Sequence, residues 1–260
     1  MIDAPFDGLV CDLDGVIYRG DSVIDGAPEA IARLRSGGIP LLFCTNNSLA
    51  TVAQYVEKLR GLGLEVAPEE ILTSATVTAE TLQERGFAGK TAIVVGGDGI
   101  TEALSDVCIS VKTDPEVTVS DLVVVGWDPE LVYDDLKRAA SAARRGALLV
   151  ATNDDATFPA ADGLWPGTGA ILAAIETASG RRAEVMGKPH PPMMEAAERR
   201  LKGAQRIAIV GDRPDTDLAG GTARGWMTIL VLSGVTDEDG ARSLPERPDR
   251  VISSIAEIDQ

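Results

Sequence analysis

Short runs of β-branched and aliphatic residues alternate along this chain with longer segments of helical periodicity. This alternation is typical of βαβ units, in which helices connect the strands of a mainly parallel sheet. The sequence therefore predicts an α/β fold. The predicted strands are residues 9–11, 39–44, 91–95, 122–125, 147–151, 206–210 and 228–232, and the predicted helices are residues 28–35, 49–62, 77–85, 130–145, 168–179, 191–201 and 216–224.

Polar residues directly follow four of the predicted strands. In parallel sheets of this kind, ligands bind beyond the carboxyl ends of the strands, so these residues are the first candidates for a functional site. The other predicted strands end in glycine or in no distinctive residue. The polar sequences in question are Asp12, Thr45-Asn46, Thr152-Asn153 and Gly211-Asp212.

The 260-residue chain carries a formal net charge of −16, with 24 Lys and Arg against 40 Asp and Glu. Nucleic acids and anionic membranes are bound by clustered basic residues, so this balance argues against both as partners. An anionic substrate would need a locally positive site, which a metal ion, a well-placed lysine or a helix N-terminus can supply.

Cysteine and histidine are scarce. Cys11, Cys44 and Cys108 have no paired spacing, which argues against a disulfide framework and against a zinc site. His190 is the single histidine, so the catalytic groups are expected to be carboxylates. No window approaches the roughly 20 apolar residues of a membrane span, and the N-terminus has no basic stretch followed by an apolar run. We therefore predict a soluble, cytoplasmic protein.

Two carboxylates, Asp12 and Asp14, follow the first predicted strand, and Gly15 comes next. Like charges this close are costly unless a cation lies near them, and a hard divalent ion such as Mg²⁺ prefers oxygen ligands. An ionised carboxylate can attack phosphorus without a general base. A second carboxyl group can protonate the leaving oxygen and then deprotonate the hydrolytic water. The pattern predicts that Asp12 attacks and that Asp14 transfers protons.

The order of the motifs resembles that of the haloacid dehalogenase superfamily, whose first motif is Asp-x-Asp-Gly after a strand. The segment Thr45-Asn46-Asn47-Ser48 is similar to its second motif, in which a hydroxyl and neighbouring amides hold the transferring phosphoryl group. Lys188 stands where the third motif has its lysine, and the resemblance implies that it takes part in catalysis. The phosphate-binding residues implied in this way are Thr45, Asn46, Asn47 and Lys188.

The same resemblance implies a Mg²⁺ site. The segment from Gly211 to Asp217 is similar to the acidic fourth motif, which implies Asp212 as a metal ligand and Asp217 as a supporting carboxylate. Asp12 and the backbone carbonyl of Asp14 would complete the protein ligands. An aspartate at the position of Asp14 favours a hydrolase over the P-type ATPase branch, which usually has threonine there.

The long interval between the second and third motifs resembles that of subfamily IIA, the NagD-like and p-nitrophenyl phosphatase-like enzymes. This implies a Rossmann-like parallel-sheet core, residues 1–80 and 185–260, with an inserted α/β cap domain of the C2 type, residues 81–184. In the related enzymes a cap loop descends on the leaving group. The corresponding candidates for substrate specificity are Asn153, Asp154, Asp155, Phe158 and Trp165.

The predicted function is a Mg²⁺-dependent phosphomonoesterase that hydrolyses a small phosphorylated metabolite through an aspartyl-phosphate intermediate. The alternatives are a phosphotransferase or phosphomutase of the same superfamily, a non-catalytic phosphometabolite-binding protein, and a protein whose cap mediates interactions. A binding protein would be expected to have lost Asp12, Asp14 or Lys188, and all three are present.

Several properties stay open at the level of sequence. The substrate is undecided among glycerol 3-phosphate, phosphoglycolate, nucleotides, pyridoxal phosphate and sugar phosphates. A homo-oligomer formed through the cap is possible. For residues 234–248 the sequence predicts only a polar connection at the surface.

Overall fold

The computed structural model describes residues 5–160 and 163–258. The chain divides into two compact units, each with its own parallel sheet. The first unit comprises the described residues of Met1–Thr45, Tyr55–Leu72 and Lys188–Gln260, and the second comprises those of Asn46–Gln54 and Thr73–Gly187. Residues 46–54, 73–80 and 185–187, which the resemblance assigns to the core domain, thus group with the second unit. The assignment of a catalytic core and a cap stays a prediction.

Strands and helices alternate along most of the chain. The strands are β1 (Gly8–Cys11), β2 (Tyr18–Arg19), β3 (Ser22–Val23), β4 (Leu41–Thr45), β5 (Ile71–Thr73), β6 (Thr91–Val95), β7 (Ser110–Val111), β8 (Leu122–Val125), β9 (Leu148–Ala151), β10 (Thr157–Ala160), β11 (Gly163–Pro166), β12 (Glu184–Val185), β13 (Ile207–Gly211), β14 (Met227–Val231) and β15 (Arg250–Ile252). The helices are α1 (Ala27–Ser36), α2 (Val52–Gly61), α3 (Ser74–Glu84), α4 (Asp98–Asp106), α5 (Tyr133–Arg144), α6 (Thr168–Ser179), α7 (Pro191–Arg200), α8 (Ala219–Arg224) and α9 (Glu238–Arg242).

The sheet of the first unit has six strands within the described residues, in the order β15-β14-β13-β1-β4-β5. Strand β1 pairs in parallel with both β13 and β4, and β14 pairs in parallel with β13 and β15. Every residue of β1 and β4 is buried, as expected for a parallel sheet covered on both faces. Cys11 lies opposite Val210 and Phe43, so Asp12, Asp212 and Thr45 leave the sheet at the same edge.

The described part of the second unit contains a five-stranded sheet in the order β12-β9-β8-β6-β7, and all four of its pairings are parallel. One apolar cluster joins β8 and β9 to helices α5 and α6, with Ala139, Ala143 and Ile175 fully buried. A second cluster joins the same sheet to α3 and α4, through residues such as Leu82 and Leu104. This sheet is therefore covered by helices on both faces, which explains the unbroken aliphatic sequence of β8.

The structure confirms the predicted α/β class and all seven predicted strands, with bounds that differ by at most two residues. The largest differences among the predicted helices are three residues, at the starts of α2, α3, α5 and α8, and α8 begins at Ala219 instead of residue 216. A wider π-helical turn, Pro214–Leu218, precedes it. Helix α3 begins three residues earlier than predicted because the Thr73 side chain caps it, accepting a hydrogen bond of 3.1 Å from the Thr76 N–H.

The sequence pattern does not predict the short edge strands, such as β5 and β15, and the predicted helices include neither α4 nor α9. Three residues are too few for a period of two or of 3.6 to show, so only the pairing of these strands with a neighbour defines them. Within residues 5–160 and 163–258, no helix combines the length and the apolar character that crossing a membrane requires.

Candidate active site

Asp12 and Lys188 meet at the carboxyl edge of the sheet in the first unit. Strand β1 ends at Cys11, so the next residue, Asp12, lies where the strand gives way to a turn. The Lys188 ammonium group donates to Asp12 Oδ1 at 2.5 Å, to Asp217 Oδ1 at 2.6 Å and to the Cys44 carbonyl oxygen at 2.9 Å. Lys188 is only 2% exposed, so these charge-assisted hydrogen bonds lie in a medium that screens them weakly.

Three carboxylates cluster around this lysine. Asp12, Asp212 and Asp217 each offer an oxygen atom, and these atoms lie within 4.8 Å of one another. All three residues are buried. Burial raises the pKa of Asp12 well above its ordinary value, against the attraction of Lys188, and the negative charge of Asp217 raises it further. Burial and Asp217 likewise raise the pKa of Asp212 to about 6.

This donor set fits Mg²⁺. The cluster contains oxygen donors only, and the positive charge of Lys188 leaves an excess of negative charge in a buried place. Mg²⁺, a hard divalent cation that binds few carboxylates and keeps several waters, would neutralise this excess charge. A zinc site would be expected to contain histidine or cysteine. The structure thus brings together three of the four predicted metal-site aspartates.

Asp212 is fixed by a loop that the sequence analysis did not single out. The Val235 N–H donates to Asp212 Oδ2 at 2.7 Å, and the Thr236 hydroxyl donates to the Asp212 carbonyl oxygen at 2.6 Å. A Cβ atom at Gly234 would lie 1.9 Å from Asp212 Oδ2, and one at Gly15 would lie 2.3 Å from it. Both glycines are therefore required for the close approach of this carboxylate.

These contacts correct our expectation for residues 234–248, since the first residues of that segment belong to the site. The signal was present in the sequence. Ser233 and Gly234 follow β14, and the rule that ligands lie beyond the carboxyl ends of parallel strands applies to this strand as it does to β1.

Asp217 is held by the π-helical turn that precedes α8. The Arg213 N–H donates to Asp217 Oδ2 at 3.2 Å, and the Asp217 N–H donates to the Arg213 carbonyl oxygen at 2.9 Å. A Cβ atom at Gly211 would lie 2.3 Å from the Asp217 carboxyl group, so glycine is needed at the end of β13. These contacts hold the Asp217 carboxylate beside Lys188, to which it is hydrogen-bonded, and near the other two carboxylates.

Asp14 lies apart from the three clustered carboxylates. The Tyr18 hydroxyl donates to Asp14 Oδ2 at 3.3 Å, a long hydrogen bond. Burial raises the pKa of Asp14, while Lys58 and the Tyr18 hydrogen bond act in the opposite direction. A carboxyl group with a raised pKa keeps its proton to higher pH, which suits a proton donor.

The predicted phosphate-binding residues divide between the two units. Thr45 ends β4 in the first unit, is 2% exposed and forms a side-chain hydrogen bond with Tyr55. Asn46 and Asn47 belong to the second unit. The Asn46 amide donates to the two carboxylate oxygens of Asp155 at 3.1 and 3.3 Å. The Asn47 side-chain oxygen accepts from the Leu49 N–H at 3.0 Å.

Within the second unit, Asn46 is hydrogen-bonded to two of the predicted specificity residues, Asn153 and Asp155. The Asn153 side chain is buried and donates to the Asn46 carbonyl oxygen at 2.7 Å, and the Ser74 hydroxyl donates to the same oxygen at 2.6 Å. The Asp155 N–H donates to Asn153 Oδ1 at 3.1 Å. Asn46 therefore forms one hydrogen-bonded cluster with Asn153 and Asp155, which lie more than 100 positions further along the chain.

The remaining predicted specificity residues lie on or near the antiparallel hairpin β10–β11. Asp154 is exposed and precedes the hairpin. Phe158 lies opposite Trp165 across the two strands. The Phe158 ring stacks on Trp127, with ring centroids 3.8 Å apart and planes 16° apart, whereas Trp165 is 43% exposed. Phe158 thus anchors the hairpin to the core of its unit, and a role in substrate recognition stays a prediction for all these residues.

Comparisons with known proteins identify the family of this chain. The family model described as haloacid dehalogenase-like hydrolase matches residues 9–110, and a second model, described as HAD-hydrolase-like, matches residues 185–258. An acid sugar phosphatase from Staphylococcus epidermidis is 38% identical over 240 residues, which are 92% of this chain and 91% of the relative. The chain belongs to the haloacid dehalogenase-like hydrolase family.

Solved structures extend the likeness to the fold. A p-nitrophenyl phosphatase from Archaeoglobus fulgidus has a TM-score of 0.90 and 32% identity, and 98% of each chain is covered. A glycerol phosphate phosphatase from Mycobacterium tuberculosis, in complex with magnesium, has a TM-score of 0.89 and 33% identity over 98% of this chain and 77% of the other. These findings confirm the NagD-like resemblance, and this family member is a phosphatase.

Proposed function

We propose that this phosphatase is a Mg²⁺-dependent phosphomonoesterase that acts through an aspartyl-phosphate on Asp12. The observation that carries the proposal is the buried contact between Lys188 and the Asp12 carboxylate, beside Asp212 and Asp217. An ionised nucleophile, a fixed cation and further carboxylates are the groups that phosphoryl transfer requires, because positioning and charge neutralisation supply most of the catalysis.

Each residue would have a distinct task. An Asp12 carboxylate oxygen forms a bond to phosphorus while the bond from phosphorus to the ester oxygen breaks. Lys188 orients Asp12 and offsets the charge that the phosphoryl group brings. Asp14 gives a proton to the departing alcohol, then takes a proton from the water that attacks the phospho-aspartate, so inorganic phosphate leaves and both carboxyl groups return to their starting states.

Asp12, Asp212 and the Asp14 carbonyl would hold Mg²⁺, with Asp217 as the supporting carboxylate. When bound, the ion would neutralise the phosphate oxygens and the carboxylate cluster. The magnesium in the Mycobacterium tuberculosis relative supports this choice of metal. The oxygen-only donor set of Asp12, Asp212 and Asp217 supports it independently.

We propose a sugar phosphate or a similarly small phosphate ester as the substrate. The name of the acid sugar phosphatase relative supports the first, and that of the glycerol phosphate phosphatase relative supports the second. Thr45, Asn46, Asn47 and Lys188 are the proposed phosphate-binding residues. Asn153, Asp154, Asp155, Phe158 and Trp165 are the proposed specificity residues. Assembly through the cap and a location in the cytoplasm stay predictions.

Phosphate release from p-nitrophenyl phosphate, glycerol 3-phosphate and a panel of sugar phosphates tests this proposal. We expect turnover with Mg²⁺ and none with chelator. We expect Asp12→Asn to lower kcat by at least about 10³-fold, because it removes the nucleophile. The matched control is Asp106→Asn, the same change at an exposed position at the end of α4, which should leave turnover unchanged.

Three results would contradict the proposal. Turnover that persists in Asp12→Asn would show that another group attacks phosphorus. Absence of turnover on every substrate, with or without Mg²⁺, would leave a binding function. A product phosphorylated on a second sugar would instead identify a phosphotransferase or phosphomutase.

A further inference from the structure

A tight turn after β1 brings Tyr18 back beside Asp14. The Ile17 N–H donates to the Leu13 carbonyl oxygen at 2.8 Å, and the Gly15 N–H donates to the Tyr18 carbonyl oxygen at 2.8 Å. Gly15 has a φ of 80°, a left-handed conformation that glycine adopts without strain. The backbone thus fixes the distance between Asp14 and Tyr18 before any side-chain contact is considered.

The Tyr18 ring is buried, and a lysine lies over its face. Residue 18 is only 1% exposed. The Lys58 ammonium group lies 3.7 Å from the centroid of the ring, over its face, where a cation is attracted by the π electrons. Burial raises the pKa of Tyr18, and the charge of Asp14 raises it further. The phenol therefore stays protonated and serves Asp14 as a hydrogen-bond donor.

We infer that Tyr18 is a positioning residue for Asp14. Its hydroxyl donates to Asp14 Oδ2, so the proton that Asp14 transfers is assigned to Oδ1. Lys58, over the ring, restricts the orientation of the phenol. This inference rests on the proposed function, in which Asp14 is the general acid. It adds two residues that the motif-based analysis of the sequence did not select.

The consequence depends on the leaving group. When Asp12 attacks, the bond from phosphorus to the ester oxygen breaks, and the Asp14 proton passes from Oδ1 to that oxygen, which gives a neutral alcohol. An alkoxide needs this proton, because it is a strong base. p-Nitrophenolate is a weak base and leaves without it. A misplaced Asp14 should therefore slow the hydrolysis of alkyl phosphates and spare p-nitrophenyl phosphate.

The test compares kcat/KM for Tyr18→Phe and wild type on p-nitrophenyl phosphate, phenyl phosphate and glycerol 3-phosphate, with Mg²⁺. Because general acid catalysis typically contributes about 10²–10⁴-fold, we expect a loss of about 10-fold or more on the alkyl ester and less than about 3-fold on the p-nitrophenyl ester. Tyr133→Phe removes the same hydroxyl from a residue that is 80% exposed and should change neither value.

Asp14→Asn separates this inference from the proposed function. If Asp14→Asn lowers kcat/KM equally on all three esters, the acid role of Asp14 is wrong and the inference is overturned with it. If Asp14→Asn shows the graded loss and Tyr18→Phe does not, only the inference is overturned. We also expect Tyr18→Phe to add no further graded loss in the Asp14→Asn background, since coupled residues are not additive.

A second variant guards against a folding defect in Tyr18→Phe, which thermal unfolding would reveal. Lys58→Met removes the cation over the ring and leaves the buried tyrosine in place. We expect the same order of losses, smaller in size, with the largest loss on glycerol 3-phosphate. A loss that is uniform across the three esters, or no loss at all, would overturn the inference.

Discussion

Lys188 lies between two buried carboxylates, and three of its hydrogen bonds join the carboxyl ends of β1, β4 and β13. The lysine contacts Asp12 after β1, the carbonyl oxygen of Cys44 in β4, and Asp217 in the turn after β13. A buried charge left without a partner is strongly destabilising, so each of these residues depends on the others. One positive charge nevertheless does not balance three carboxylates. The stability of the metal-free protein should therefore depend on pH.

We predict that the metal-free protein becomes less stable as the pH rises from about 4 to about 6, the window set by Asp212. The pKa of this carboxyl is 3.8 ordinarily and about 6 in the folded state. The folded state therefore binds the proton more tightly, and stability is lost as the proton leaves. At about 1.4 kcal/mol per pKa unit, the contribution is at most about 3 kcal/mol. Asp12 and Asp14, whose pKa values are also raised, act in the same direction.

Denaturant unfolding with chelator present, at pH 4 and at pH 7, measures this effect. Asp212→Asn should reduce the difference in the free energy of unfolding between the two pH values, whereas Asp106→Asn should leave it unchanged. Equal pH dependence in Asp212→Asn and wild type would show that this carboxyl is not the one that titrates.

Among the elements, the loop that follows β14 has the least obvious role. Strand β14 carries no catalytic residue, yet the loop beyond it holds Asp212 through Val235 and Thr236. The Ser233 hydroxyl also donates to the Gly15 carbonyl oxygen at 2.7 Å, which ties this loop to the turn after β1. The loop therefore links two of the aspartate-bearing segments of the site.

We predict that Gly234→Ala lowers both Mg²⁺ affinity and kcat. The new Cβ would lie 1.9 Å from Asp212 Oδ2, so the carboxylate or the loop must move. A displacement of about 1 Å in a catalytic group can lower the rate by about 10²-fold, which sets the expected size. Titration with Mg²⁺ during turnover gives both quantities.

Gly61→Ala is the matched control. A Cβ atom there has no atom within 4 Å, and Gly61 is the last residue of helix α2, so activity should be unchanged. Wild-type Mg²⁺ dependence in Gly234→Ala would show that the loop tolerates the methyl group and that Asp212 does not depend on it.

At the scale of the whole molecule, the three clustered carboxylates belong to the first unit, and the net charge of the chain is −16. Two compact units with separate sheets need not unfold in one transition. A cation bound by the carboxylate cluster should therefore stabilise the first unit directly.

We predict that Mg²⁺ raises the stability of the first unit by about 2.7 kcal/mol at 100 times its dissociation constant, by mass action. Hydrogen exchange is the measurement, and protection should increase most in β1 and β13. NaCl at the same ionic strength is the control, because a highly charged chain is also stabilised by simple screening. An equal increase with NaCl would exclude a specific site.

The sequence predicts the buried strands more fully than it predicts the contacts of the loops. Strands β6 and β8 have the predicted bounds because runs of aliphatic residues specify buried parallel strands locally. Asp12, Asp14, Lys188 and Asp212 were selected by motif, and the structure brings Lys188 to Asp12. In contrast, β15 was missed because only its pairing with β14 defines it.

Local patterns of residue type are enough to predict the alternation of strands and helices and the chemical groups available for phosphoryl transfer. Which of these groups meet depends on the fold. Asp212 binds Val235 across 23 positions, and Lys188 binds Asp12 across 176. Such contacts follow from the order and register of the strands, which bring distant loops to one edge of a sheet, and no local periodicity records them.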